Sequence, residues 1–476
     1  MKEVKLNYWL NKMEKFLNKI KEGVAKFKKL NGIVKIVTHL DADGLSSGAI
    51  IVKALMRENI KFSLTTVRLL EDGIFEELSR ENCEIILFLD LGSGSLSKIE
   101  EKLKDKEVFV LDHHKIENYK AKNLFLINPN LFGFDGGFDI SSSGVCYYFA
   151  KCMNSKNQDM AHIALLGAIG DMQENNGFKS ELNNYILEDA INEGKIEVKV
   201  GLRMFGMQTR PINKVLEYST DPYIPGVTGS EEAAKRFIEE IRIDAKLNGK
   251  YKKLFQLEKE DMKRLVTGII LKRLGSEENP DDVLGSIYIL TGEVDENPMK
   301  DAKEFATLLN SCGRMNMPSI GIGCCLNDEK SKEDALVLLN NYKREIINAL
   351  DWYYKNKENF VDGKGYVIIN AEDNVRDTLI GTLGSILSNS NVFNAGTVLI
   401  TMAYTIDGGV KISSRVVGKS DIDLRQVMSD IIDNIGGVCG GHKQAAGALI
   451  GQDKEEEFVK VAKNVLGRVV LEETVK

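Results

Sequence analysis

Three short apolar runs constrain this chain more than any other feature. Ile33-Val34-Lys35-Ile36-Val37, Ile85-Ile86-Leu87-Phe88-Leu89 and Val108-Phe109-Val110-Leu111 each read as a buried strand, and each ends abruptly in side chains that bind protons or metals. The first runs into Thr38-His39-Leu40-Asp41-Ala42-Asp43-Gly44, the second into Asp90, and the third into Asp112-His113-His114. Helical patterns over 45–56 and 97–103, with further strands over 62–67 and 124–127, complete an alternation of strand and helix. Alternation at this spacing builds βαβ units and a parallel sheet covered on both faces. The C-terminal edges of such strands lie side by side, so imidazoles and carboxylates distant in sequence converge on one crevice.

The remainder of the chain is organised around that half. Residues 1–31 place Leu6, Leu10, Met13, Phe16, Leu17, Ile20, Val24 and Phe27 at helical spacing, with Lys on the other face, which predicts a helix packed on the domain that follows. A Gly- and Phe-rich loop over 131–138 leads to Ser141-Ser142-Ser143-Gly144, where a helix opens. Those serines serve either as helix caps or as hydroxyls facing a phosphate. A small-residue helix over 161–169 ends in Gly170-Asp171, and His162 inside it reads as a packed or partly exposed histidine rather than a ligand. A connector begins at 195–201. Charged helices are predicted over 231–248, 257–273 and 328–355, with an extended stretch at 283–290. A last α/β unit starts near Gly363, with strands over 366–369, 397–403 and 410–415 and a helix over 377–388. It closes on Gly436-Gly437-Val438-Cys439-Gly440-Gly441-His442-Lys443, which is predicted to run into an Ala-rich helix.

Composition excludes several classes. A chain of 476 residues exceeds what one core serves, so two or three domains are expected. No apolar run is long enough to span a bilayer, and the Lys-rich start lacks the apolar core of a signal peptide, so a cytoplasmic location without membrane contact is expected. Seven cysteines, with no CxxC pair, exclude a zinc ribbon and point to reduced thiols. The formal net charge of -7 argues against a coat for nucleic acid but leaves room for a local basic groove, and so decides nothing about partners. Of the five histidines, His39, His113, His114 and His442 all fall within the motifs above.

The set His39, Asp41, Asp43, Asp90, Asp112, His113, His114 and Asp171 has the donors that Mn2+ or Mg2+ accept, enough for two ions about 3.5 to 4 Å apart. Any one of these residues alone would be ordinary, since Asp before Gly is a common cap and a His pair is common at surfaces. Four strand or helix ends terminating this way in one α/β half is not a capping pattern.

The order HxDxDG, strand-end Asp, Asp-His-His and Gly-Asp resembles the DHH phosphoesterase superfamily. The Gly-Gly-His corner resembles its DHH-associated partner domain, DHHA1. Motif spacing and the stretch Leu309-Asn310-Ser311-Cys312-Gly313-Arg314 are similar to the RecJ single-strand exonucleases, above all archaeal ones. The resemblance implies an α/β architecture: a parallel-sheet DHH domain over 1–195, a connector and inserted helical or α+β middle section over 196–360, and a smaller α/β DHHA1 domain over 361–476. It implies His39, Asp41 and Asp90 on one Mn2+ and Asp43, Asp90, His113 and Asp171 on a second, with Mg2+ as an alternative. Asp112 would orient an imidazole, and His114 would face the scissile phosphate. In the DHHA1 domain Ser414, Arg415, Gly440, Gly441, His442 and Lys443 would hold nucleotide in a cleft against the first domain, with Asn310 and Arg314 as backbone contacts. The implied activity is exonucleolytic release of mononucleotides from single-stranded DNA or RNA. Two other readings stay open: a phosphodiesterase or phosphatase for very short oligonucleotides or cyclic dinucleotides, and a replicative-helicase component that binds the GINS complex.

Overall fold

The structure, a computed structural model, describes residues 2–390, 392–418 and 420–474, with side chains described over 9–469 except 391, 419 and 442. The chain divides into two compact units, Met1–Leu338 and Leu339–Lys476.

In the first unit α1 (Lys2–Phe27) precedes a five-stranded parallel sheet. Its strands are β1 (Val34–His39), β2 (Phe62–Val67), β3 (Ile85–Leu89), β4 (Glu107–Leu111) and β5 (Leu124–Ile127). Helices α2 (Ala42–Arg57), α3 (Asp72–Arg80) and α4 (Leu96–Lys102) connect the first four. β3 is buried along its whole length, as a strand covered on both faces must be. α1 buries Phe16, Ile20, Val24 and Phe27, and its aromatic rings meet Phe109, Phe132, Phe134 and Phe149 edge-on or tilted. The order β2-β1-β3-β4-β5 reverses direction between β1 and β3, so the chain leaves these two neighbours toward opposite sides and opens a crevice at their C-terminal ends.

Three helices follow: α5 (Ser142–Met153), α6 (Ala161–Gly170) and α7 (Glu181–Asn192). The expected connector at 195–201 is instead a strand, β6 (Ile196–Leu202), paired antiparallel with β9 (Leu284–Leu290). Between them lies a small core of its own, built on α8 (Ile212–Glu217), α9 (Glu231–Glu240) and α10 (Lys259–Arg273). The helix expected over 231–248 stops at Glu240. Arg242 turns left-handed at φ +52°, and Asn248 and Gly249, at φ +51° and +78°, make the turn of a hairpin joining β7 (Lys246–Leu247) and β8 (Lys250–Tyr251). After β9 come α11 (Ala302–Arg314), α12 (Pro318–Cys325) and α13 (Glu329–Asn356).

The second unit is a six-stranded mixed sheet of order β10-β11-β12-β13-β15-β14. Its strands are β10 (Val361–Gly363), β11 (Tyr366–Asn370), β12 (Val398–Tyr404), β13 (Gly409–Val416), β14 (Val438–His442) and β15 (Ala445–Gly451). Helices α14 (Asp377–Ser388), α15 (Leu424–Ile435) and α16 (Glu455–Thr474) pack on it. The predicted Ala-rich helix is wrong: that segment is β15. Ala446, Ala448 and Ile450 alternate into the core, and pairing with β13 on one side and β14 on the other overrides the helix propensity of alanine. Among the described residues no helix is long and apolar enough to cross a membrane.

Candidate metal centre

β1 ends on His39, and the register that pairs Thr38 with Leu89 brings the residue after β3, Asp90, alongside it. Asp90 adopts φ +62°, a left-handed turn that Asp tolerates, and its N–H donates to the Leu111 carbonyl at 3.0 Å. Asp112 follows β4 in the same way, its N–H donating to Ile127 of β5. The strand-end residues therefore meet because the backbone ladder continues one residue past each strand.

Asp41 caps α2, its Oδ1 accepting from Gly44 N–H at 3.0 Å. Asp43 is fully buried and points at the N-terminus of α5, where Ser142 and Ser143 donate their N–H groups to its two oxygens at 2.7 and 3.0 Å. Ser141 holds the N-cap position of α5, where the capping expectation put the run. Ser141 makes no capping bond, and the helix terminus receives the chain's own carboxylate. A Cβ at Gly167 of α6 would overlap Asp43 Oδ1, so glycine there leaves the carboxylate its room. Asp171 is the C-cap of α6.

These side chains close on one another. His39 Nδ1 lies 2.9 Å from Asp41 and 3.4 Å from Asp90, and His113 Nε2 lies 3.4 Å from Asp90, 3.2 Å from Asp171 and 4.0 Å from Asp43. Three sets of ligand atoms each fit within 4.8 Å: His39, Asp41 and Asp90; Asp43, His113 and Asp171; Asp90, His113 and His114. Asp90 belongs to two of them. Among the described residues, four of the buried atoms of this cluster make no hydrogen bond beyond these ionic contacts: His39 Nδ1, His113 Nε2 and both Asp90 oxygens. Buried polar atoms are seldom left this way, and cations held on the His39 side and on the His113 side of Asp90 would satisfy them. The donors are carboxylate and imidazole, which suit Mn2+ or Mg2+. The residues fit the group.

Supporting contacts fix the rings. His113 Nδ1 donates to the Gly136 carbonyl at 2.6 Å, which also accepts from Gln173 at 2.8 Å, so His113 turns its unprotonated Nε2 toward the carboxylates when neutral. Asp112 accepts N–H bonds from Ser93, His113 and His114, and its Oδ1 lies 2.8 Å from His114 Nδ1. The His114 side chain is 42% exposed, at the rim of the cluster.

Crowding of charge shifts Asp43, Asp90, Asp112, Asp171 and the three imidazoles. Burial, together with the charge of Asp90, pushes Asp43 up to about 7, and burial with Asp43 nearby raises Asp171 well above the carboxylate range. Burial alone would raise Asp90 and Asp112. For Asp90 the imidazoles of His113 and His39 prevail and hold it well below the usual value, and for Asp112 His114 prevails and holds it at about 2. Burial would likewise lower His39 and His113, yet the facing carboxylates raise both well above an ordinary histidine. His114 is raised by Asp112 against the same opposition from burial.

Among the described residues none of the other predicted site residues belongs to these ligand sets. Asn310 of α11 accepts the Ala42 N–H at 3.0 Å, so its carbonyl oxygen is committed to the ligand loop. Arg314, in the last turn of α11, is half-buried. In the second unit the register aligns Arg415 with Ala445 and Ala445 with His442, one row across three strands. Arg415 donates to Ser385 Oγ at 2.9 Å and to Ser413 Oγ and the Ser414 carbonyl at 3.1 and 2.7 Å. The Ser414 hydroxyl is buried and donates to the Ala446 carbonyl. Gly440 and Gly441 lie in β14, Gly441 at φ +134°, and Lys443 is exposed 3.6 Å from Asp421. The side chain of His442 lies outside the described residues.

Sequence reasoning missed Asn130, whose amide donates to the His113 carbonyl at 2.8 Å, and Asn128, whose amide donates to the His114 carbonyl at 2.9 Å. The signal was present, because Asn128 follows β5 as Asp90 follows β3 and Asp112 follows β4.

Comparison with known proteins agrees with this layout. Residues 33–170 match the DHH family N-terminal domain, 204–284 the DHH-CID domain and 364–468 the DHHA1 domain. An uncharacterized protein of Methanocaldococcus jannaschii is 32% identical over 96% of this chain and 98% of its own length. CDC45 from Entamoeba histolytica superposes with a TM-score of 0.61 at 13% identity, over 95% of this chain and 98% of that one. RecJ from Thermus thermophilus in complex with Mn2+ superposes with a TM-score of 0.58 at 14% identity, over 94% of this chain and 55% of that one, so this chain spans about half of that RecJ.

Proposed function

From the chain's membership of the DHH family, with its RecJ-like arrangement of DHH, DHH-CID and DHHA1 domains, we propose a two-metal phosphodiesterase that removes mononucleotides from an end of single-stranded DNA or RNA. One observation carries this reading: Asp90 lies in one ligand set with His39 and Asp41 and in another with His113, which itself belongs to the set of Asp43 and Asp171, and among the described residues both Asp90 oxygens make no hydrogen bond. His39, Asp41 and Asp90 would hold one Mn2+, and Asp43, Asp90, His113 and Asp171 the other, with Mg2+ as the alternative. When bound, such a pair activates water for attack on phosphorus and draws off the negative charge that builds up.

The chain's own residues do the rest. Asp112 keeps a proton on His114 Nδ1 and sustains the imidazolium, which donates from the exposed rim to a nonbridging phosphate oxygen. The N–H groups of Ser142 and Ser143 fix Asp43 before any ion arrives. Arg415, Gly440, Gly441, His442 and Lys443, with Arg314, are proposed to bind phosphates of the strand.

The test is end-labelled single-stranded DNA and RNA, long and short, with Mn2+ or Mg2+. Release of labelled mononucleotide from one end is expected, and hydrolysis confined to dinucleotides or cyclic dinucleotides would move the assignment to a small-substrate enzyme. The whole-length likeness to CDC45 favours a second reading, a role within a replication complex that binds GINS. Pull-down of GINS by the wild type and by Asp90→Asn separates that role from catalysis.

A further inference from the structure

The ligand loop is held from behind by a helix far away in sequence. The Ala42 N–H is among the first donors of α2, which have no partner within their own helix. Asn310 of α11 takes that donor, its Oδ1 at 3.0 Å across a sequence separation of 268 residues. Three residues on, the same face of α11 presents Gly313, where a Cβ would overlap the carbonyl oxygen of Leu40. In His39-Leu40-Asp41-Ala42-Asp43 the residues alternate: ligand candidates at 39, 41 and 43, and α11 contacts at 40 and 42. The helix thus meets Leu40 and Ala42, two residues that carry no ligand, and fixes the backbone on either side of Asp41.

α11 itself is anchored. Its N-cap Asp301 accepts from Lys303 and Glu304 N–H groups, and Glu304 accepts from Gln208 N–H at 2.9 Å and from the Thr209 hydroxyl. A helix fixed at its first turn and abutting the loop in its last is a rigid stop. Had Asn310 been apolar, the Ala42 N–H would be left without an acceptor beside the charge cluster, and the loop would shift to find one.

We propose that Asn310, brought close by the missing side chain of Gly313, is a positioning residue that sets the spacing of His39, Asp41 and Asp43 for metal. This rests on the reading of the cluster as a metal centre. Asn310 acts on the ligands through the backbone and touches neither metal nor substrate.

The experiment uses the full chain as wild type, Asn310→Ala, Asn310→Gln and Asn310→Asp. Mn2+ affinity is measured by calorimetry, and hydrogen exchange across 38–44 is measured in metal-free protein. In Asn310→Ala, affinity should fall about 10-fold to 100-fold, the range for residues that orient ligands from outside. Exchange at Ala42 should rise about tenfold or more, as expected when an amide loses its acceptor, while the unfolding midpoint stays near that of wild type. Asn310→Gln, one methylene longer, should weaken binding too. Asn310→Asp keeps the acceptor and should restore slow exchange at Ala42. Wild-type affinity in Asn310→Ala would overturn the proposal. So would faster exchange across the whole first unit with a fallen midpoint, because the role would then be general stability. If the wild type bound no Mn2+, the metal-centre reading would fall, and local exchange at Ala42 would still decide whether Asn310 fixes the loop.

Discussion

Replacing Asp90 with Asn changes one atom at the point where two ligand sets meet, and its effect can be worked out before any assay of hydrolysis. A ligand that binds only the folded state stabilises it by about 2.7 kcal/mol at a concentration one hundred times its Kd. The first unit comprises Met1–Leu338, and at roughly 2.1 cal/mol/K per residue its unfolding entropy is about 0.7 kcal/mol/K. Mn2+ at that concentration should therefore raise the melting temperature by about 4 °C. Asn keeps an oxygen in place but removes the charge, and a unit charge about 4 Å away is worth about 4 kcal/mol at an effective dielectric constant of 20. Because Asp90 serves two sets, both ions lose that attraction, and the shift in Asp90→Asn at the same Mn2+ concentration should fall below about 1 °C. Differential scanning calorimetry of both proteins, with Mn2+ and with chelator, measures this. A shift of wild-type size in the variant would refute the shared-ligand geometry, whatever the activity of either protein.

Four further outcomes follow from the same contacts. Metal binding must expel protons from His39, His113, Asp171 and Asp43, whose values are all raised, Asp43 to about 7, so affinity should rise with pH. Titration at pH 6 and 7 should differ by about tenfold or more per proton released, and equal affinities would contradict it. His114→Ala should lower hydrolysis by about 10²-fold to 10³-fold, as for the loss of one charge-stabilising donor, while leaving the Mn2+ melting shift intact. Gly167→Ala puts a methyl where Asp43 Oδ1 lies, so it should abolish the Mn2+ shift and cost about 1 to 3 kcal/mol in urea unfolding. Burial, then Lys195 and Lys53, depresses His162 to about 4; its contribution is present above the unfolded value and lost as pH falls from 6.5 through 4, by about 3 kcal/mol at most. His162→Gln should flatten that acid limb of the stability curve, and an unchanged limb would show that His162 is solvated in the fold.

The inner strands were legible because a strand buried on both faces leaves a continuous apolar signature, as Ile85–Leu89 does; the edge strands Phe62–Val67 and Leu124–Ile127, only partly buried, also fall where they were expected. The convergence of His39, Asp90 and His113 was legible for the same reason, since parallel strands ending in polar residues leave only one edge for them. What the pattern did not reveal depends on long-range pairing. Ala445–Gly451 has the residues of a helix and becomes a strand because two neighbours accept it. α11 is an ordinary amphipathic helix in sequence, and its hold on the ligand loop needs a contact spanning 268 residues that no local window contains. The fate of the serine run was hidden similarly, because the acceptor for its amides is Asp43 from a different helix.

The side chains gathered at the crevice all stand beyond the last fully buried residue of their strands or at helix ends, while β3 and the interior of β1 carry none of them. Cohesion and chemistry are thus assigned to different residues along the same strands. Erasing one of these acids or imidazoles removes no apolar side chain from the hydrophobic layers of the strands. Point changes among these side chains can therefore alter what the crevice holds while the layers of the sheet keep their packing.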